Sequence, residues 1–213
     1  MMTVLEPKPL LEANSLLPLV LRTRPALTLS DDEFFEFCQQ NRELRIEQTA
    51  AGEWIIMVPA GGERGSRNNE VSRQLGNWAR EGDAGVAFDS STGYTLPNGA
   101  KWSPDASWVP RSRLAALTPE QKRKFLPLCP DFAVELRSPS DSLADTQEKM
   151  AEYRDNGTRL GWLIDVSEHR VHMYRPGGLE VWTRPRPFRR TRNCRALPWT
   201  WRTYGSQVSN MGF

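Results

Sequence analysis

The chain has 213 residues and a mass of 24.3 kDa, is 38% hydrophobic and 25% charged, and has a mean hydropathy of −0.58, which fits about one water-soluble globular domain. No apolar run approaches the ~20 residues of a membrane span, and the Leu16–Leu21 stretch, broken by Pro18, lacks the basic flank and cleavage site of a signal peptide. Cys38, Cys129 and Cys194 are odd in number and far apart, and His169 and His172 are the only histidines. That excludes a disulfide framework, a zinc cluster and an easily built Ser-His-acid triad, fits a reducing cytoplasm, and leaves oxygen ligands for any metal.

The net charge of +2 is unevenly spread. Seven of the 28 basic residues lie beyond Glu180, where there are no acids, leaving 21 basic against 26 acidic residues in the first 180. The body is acidic and the tail basic.

In chain order, residues 1–27 are rich in Pro and Leu without a period and are expected to be a poorly ordered lead-in. Ser30 then caps a short helix in "LSDDEFFEFCQQN", with acids in its first turn and an apolar stripe of Phe34, Phe35 and Cys38. "ELRIEQTAAGEWIIMVP" alternates, breaks at Gly52 and resumes, which predicts a hairpin. Val71, Leu75, Trp78 and Ala79 give the next segment helical spacing, opening from a loop at Gly61 and Gly62 that matches neither a P-loop nor a dinucleotide fingerprint.

Three short strands follow in "AGVAFD", "GYTLP" and "SPDASWV", then a helical connection through "LTPEQKRKF". "PDFAVELRSPSD" reads as a strand with Asp131, Glu135 and Arg137 on one face and Phe132, Val134 and Leu136 on the other. Leu143, Met150 and Tyr153 predict a helix ending near Gly157, and "LGWLIDV", "RVHMYR" and "GLEVW" predict a β-meander. The whole predicts an α/β or α+β fold with a mixed sheet flanked by helices.

The charged strand needs an explanation. Asp131 stands roughly 13 Å along the strand from Glu135, too far to share one ion. Asp105, on another strand, could meet Glu135 over a divalent cation if the two strands are neighbours ~4.8 Å apart. Paired carboxylates at that range repel unless a cation neutralises them, and a magnesium ion held there would suit phosphodiester hydrolysis with a nearby lysine. Lys149 is the candidate lysine, on one helix edge with Tyr153 and Asn156. The plain alternatives are a solvated strand face and a solvated helix lysine.

"SPDASWV", "PDFAVELRSPSD", "QEKMAEYRDNG" and "LGWLIDV", in this order, resemble the Uma family, a group assigned to the restriction endonucleases within the PD-(D/E)xK nuclease superfamily. The resemblance covers about Leu27 to Trp182 and implies a restriction-endonuclease-like domain over residues 28–183. It implies a magnesium-dependent DNA endonuclease, with manganese as a substitute, in which Asp105, Glu135 and the Leu136 carbonyl hold the ion. The usual nuclease lysine lies two residues beyond the glutamate, where this chain has Arg137. An arginine can steady a phosphate but cannot act as a base, so Lys149 takes the role of positioning or deprotonating water. Gln147, in the same motif, is implied to orient water. Glu47 matches an upstream acidic position of the family or is a surface acid of the hairpin. A symmetric duplex target would favour a homodimer.

The alternatives are a catalytically inactive module of the same fold that binds nucleic acid or protein, and, last, a metal-independent glycosidase, which would leave the lysine unexplained. The family's usual acidic, Leu-rich ending is absent. Residues 184–213 read either as a DNA-binding arm of arginines with Trp199, Trp201 and Tyr204 or as a tail displaced by a frame shift, and the abrupt change of composition favours the latter.

Overall fold

A computed structural model describes residues 18–57, 61–138 and 141–183. Its centre is a six-stranded mixed sheet in the order β11-β10-β9-β8-β7-β4. The strands are β4 (Gly85–Asp89), β7 (Ala106–Pro110), β8 (Phe132–Arg137), β9 (Leu160–Asp165), β10 (Arg170–Arg175) and β11 (Gly178–Thr183). Only β8 and β9 run parallel, and their crossover is helix α4 (Leu143–Asp155), since a parallel pair needs a long connection. β9, β10 and β11 form the expected antiparallel meander.

Each face of this sheet is covered at its centre, while the edge strand β11 is exposed. Helix α2 (Gly62–Gly82) sets Val71 and Leu75 against Ala106, Phe132, Val134, Leu136 and Ile164. On the other face, Met150 and Tyr153 of α4 pack with Ala133, Val109 and Leu163. The β8 strand is therefore buried on both faces, and a charge placed on it sits in the core. α4 is capped by Ser142, whose hydroxyl accepts from the Asp145 N–H, and stops before Gly157, whose φ of +109° few other residues adopt.

A second, five-stranded antiparallel sheet, absent from the sequence reading as a separate unit, has the order β1-β3-β2-β6-β5. It contains β1 (Leu19–Arg22), β2 (Arg45–Gln48), β3 (Glu53–Met57), β5 (Tyr94–Thr95) and β6 (Lys101–Trp102). β2 and β3 are the predicted hairpin, turning at Gly52 with φ +88°. β1 corrects the expectation of a poorly ordered lead-in for its last part: Leu19–Arg22 pair with β3 as an edge strand, while residues 1–17 lie outside the described residues. The capped helix is also present, as α1 (Asp31–Gln40), with Ser30 and Glu33 forming a reciprocal capping box. Phe34 of α1 closes this sheet's core with Ile46 and Trp54. The connection after β7 is a short helix, α3 (Arg111–Ala115), and a 3-10 turn at Gln121–Arg123.

Candidate active site

β7 and β8 pair antiparallel through Ala106↔Val134, Ser107↔Ala133 and Trp108↔Phe132. One further step of that register sets Asp105 against Glu135, on the face that carries α4, and Pro104 against Leu136. Proline has no N–H to continue the ladder, so pairing ends there. The Leu136 N–H donates instead to Asp105 Oδ2 at 2.8 Å. A strand residue points its N–H and C=O to the same neighbour, so the Leu136 carbonyl faces the same gap, without the donor that a residue other than proline would offer. The Pro-Asp pair thus ends a ladder and lodges a fully buried carboxylate in the opening.

Lys149, on α4, reaches into this cluster. Its ammonium lies 2.8 Å from Glu135 Oε1 and 3.0 Å from both oxygens of Glu47, and 4.8 Å from the centroid of the Trp102 ring. One helical turn on, the Tyr153 hydroxyl donates to Glu135 Oε1 at 3.4 Å. Glu47 is buried on β2 and also accepts from the Ser103 N–H at 2.9 Å, so of its two sequence readings the surface acid is the wrong one. Arg45, two residues earlier on the same strand face, spans Glu47 and Asp105 at 3.4 Å each and donates to the Ser103 carbonyl. From α2, Asn68 donates to Asp105 Oδ1 at 2.9 Å and Arg64 lies 3.6 Å from Oδ2.

The electrostatics follow from burial and from like charges. Burial pushes the Glu135 carboxyl above the usual carboxylate range; Lys149 draws it back, while Asp105 and Glu47 add to the rise. Burial works against the charged form of Lys149, but Glu135 and Glu47 outweigh it and hold the lysine as an ammonium. Burial, together with the same two carboxylates, keeps the Tyr153 phenol neutral.

A family profile described as "Uma2: Putative restriction endonuclease" matches residues 31–204. The chain belongs to the Uma2 family. A crystal structure described as a "putative nuclease belonging to DUF820" from Anabaena variabilis ATCC 29413 is similar, with a TM-score of 0.60, 23% identity, and coverage of 74% of this chain and 86% of that one. At that identity the likeness speaks for the fold: the expected mixed sheet flanked by helices is present. No curated protein matches. The Uma2 match runs past Trp182 into the arginine-rich tail. The tail itself lies outside the described residues.

Not every residue drawn from the Uma2 resemblance enters the cluster. Arg137 is turned to Asp165, 2.8 Å from its Oδ2, and bonds the Asp141 carbonyl and Ser167; among the described residues its partners include none of Asp105, Glu135 and Glu47. Gln147 is half-buried on α4, and its side chain makes no hydrogen bond among the described residues. Asp131, at the far end of β8, pairs with Arg113, as its distance from Glu135 required. Arg45, Arg64 and Asn68 were missed. Arg64 and Asn68 extend the Val71/Leu75 stripe of α2 backwards at four- and three-residue spacing, a signal visible in the sequence once polar residues are allowed on a core-facing stripe.

Among the described residues no three Asp, Glu, His or Cys side chains gather as ligands. The donors that fit a cation are the facing carboxylates of Asp105 and Glu135 with the Leu136 carbonyl, all hard oxygens suited to magnesium. The upward push that Asp105 and Glu47 exert on Glu135 is the repulsion such an ion would relieve.

Proposed function

We propose that this Uma2 protein is a metal-dependent endonuclease that hydrolyses DNA phosphodiester bonds, with magnesium, or manganese in its place, held by Asp105, Glu135 and the Leu136 carbonyl. The observation that carries this reading is the register of β7 on β8, which sets Asp105 opposite Glu135 within reach of Lys149. A divalent cation bound there would supply Lewis-acid stabilisation to the phosphoryl group. The chain's own residues do the rest. Lys149, kept charged by Glu135 and Glu47, donates a hydrogen bond that positions the attacking water or a phosphate oxygen, and does not remove a proton. The Tyr153 hydroxyl fixes the Glu135 rotamer, and Glu47 aims Lys149. Arg45 offsets part of the acidic charge while the site is free of metal.

A second reading, an inactive module of the same fold, is favoured by one observation: Asp105, Glu135 and Glu47 all have cationic partners already. Incubation with plasmid, linear and single-stranded DNA and RNA, with magnesium or with EDTA, separates the two. The nuclease reading predicts magnesium-dependent DNA cleavage that Glu135→Ala abolishes. Equal cleavage by wild type and Glu135→Ala, or none on any substrate, contradicts it.

A further inference from the structure

Both oxygens of Asp105 are already engaged, three contacts being hydrogen bonds and the fourth, from Arg64, a longer ion pair. Oδ1 takes the Asn68 amide at 2.9 Å and Arg45 at 3.4 Å, while Oδ2 takes the Leu136 N–H at 2.8 Å and faces Arg64 at 3.6 Å. Three cations (Arg45, Arg64 and Lys149) serve the three buried acids Asp105, Glu135 and Glu47, and Arg64 is shared with a fourth, more exposed acid, Asp141. A divalent ion drawn to Asp105 competes with the cations already beside it.

The candidates differ in how firmly they are held. Lys149 is bound to two buried carboxylates and Arg45 to Glu47 and the Ser103 carbonyl as well as Asp105. Arg64 makes the longest of the contacts on Asp105, stands in the first turn of α2, and its side chain is 28% exposed. It also has somewhere to go: its other guanidinium nitrogen lies 3.3 Å from Asp141, itself half-exposed and anchored by the Ser138 N–H at 2.9 Å.

We propose that Arg64 is a placeholder cation, which neutralises Asp105 in the metal-free protein and swings onto Asp141 alone when a divalent ion enters between Asp105 and Glu135. The proposal rests on the metal-site reading above and adds an exchange: the chain carries a charge that the ion replaces, so the buried acids have a cationic partner whether or not an ion is bound. Binding of the ion and the Arg64–Asp105 contact are mutually exclusive, which makes the arginine a competitive, intramolecular brake on metal affinity. Asp141 acts in the opposite direction, by offering Arg64 an alternative partner.

Calorimetric titration of the full chain with Mn²⁺ reads this directly, with no DNA present. Arg64→Met should bind about tenfold more tightly than wild type, within the range usual for coupled sites. Asp141→Asn should bind more weakly, because Arg64 is then left with Asp105. The gain in Arg64→Met should vanish when Glu135→Gln is added, which places it at this site. If wild type binds one ion and Arg64→Met binds it no more tightly, the exchange is refuted while the metal site stands. If neither binds, both the exchange and the metal-site reading fall. The opposite shift in Asp141→Asn keeps the test decisive should Arg64→Met fold poorly.

Discussion

Replacing Lys149 by methionine keeps the unbranched stem of the side chain and removes its charge from between two buried carboxylates. The ammonium is 2.8 Å from Glu135 and 3.0 Å from Glu47, and its side chain is only 12% exposed. Removing one partner of a buried ion pair costs ~3–5 kcal/mol because the remaining charge stays buried and unpaired. The loss should depend on pH. In the native protein the Glu135 carboxyl is raised from 4.5 to about 7, so the folded state binds more protons than the unfolded chain over that interval. Stability from this group is present at low pH and is lost as pH rises toward 7. Lys149→Met raises the carboxyl further, so the interval extends upward and the penalty grows with pH. Lys149 itself stays charged at both ends of this range, since its own pKa is raised. Urea unfolding followed by tryptophan fluorescence, at pH 5.5 and pH 8, should show the larger destabilisation at pH 8. Equal losses at the two pH values, or a loss below ~1 kcal/mol at pH 8, would refute the claim that Lys149 is held by buried acids.

Arg137→Ala should cost about 2 kcal/mol by stripping a charged hydrogen bond from buried Asp165, and leave DNA affinity unchanged in a filter-binding assay; a marked affinity loss would return Arg137 to the phosphate. Asp131→Asn should lose its pair with Arg113 yet retain metal binding by calorimetry, because it lies at the other end of β8. Ser30→Ala should lower thermal stability by about 1 kcal/mol through loss of the α1 capping box, with cleavage intact.

What was legible in the sequence were features that local chemistry dictates. Ser30 with Glu33, the Gly52 turn, the α4 stripe ending at Gly157 and the meander all announce themselves within a few residues. The Asp105–Glu135 contact was accessible as a conditional, since two short strands that pair must align some residues, and Pro104 marks where the pairing stops. The second sheet was not accessible. Lys101–Trp102 and Tyr94–Thr95 are two residues each, too short to show alternation, and Leu19–Arg22 is an edge strand whose four residues are all exposed, so no buried face imprints a period on it. Arg137 misled because its position in the strand matches the usual lysine, whereas its conformation is set by Asp165, 28 residues further along. Arg45 was hidden for a related reason: arginine at a strand start reads as solvated, and only the fold brings buried acids to it.

The central claim is that Asp105 and Glu135 share a divalent cation. Crystals soaked in Mn²⁺ and measured at the manganese absorption edge test it most directly. The account predicts an anomalous peak about 2.1 Å from carboxylate oxygens of both Asp105 and Glu135 and from the Leu136 carbonyl, with Lys149 still contacting Glu135. A peak elsewhere, or none between the two acids in a protein that cleaves DNA with Mn²⁺, would contradict it.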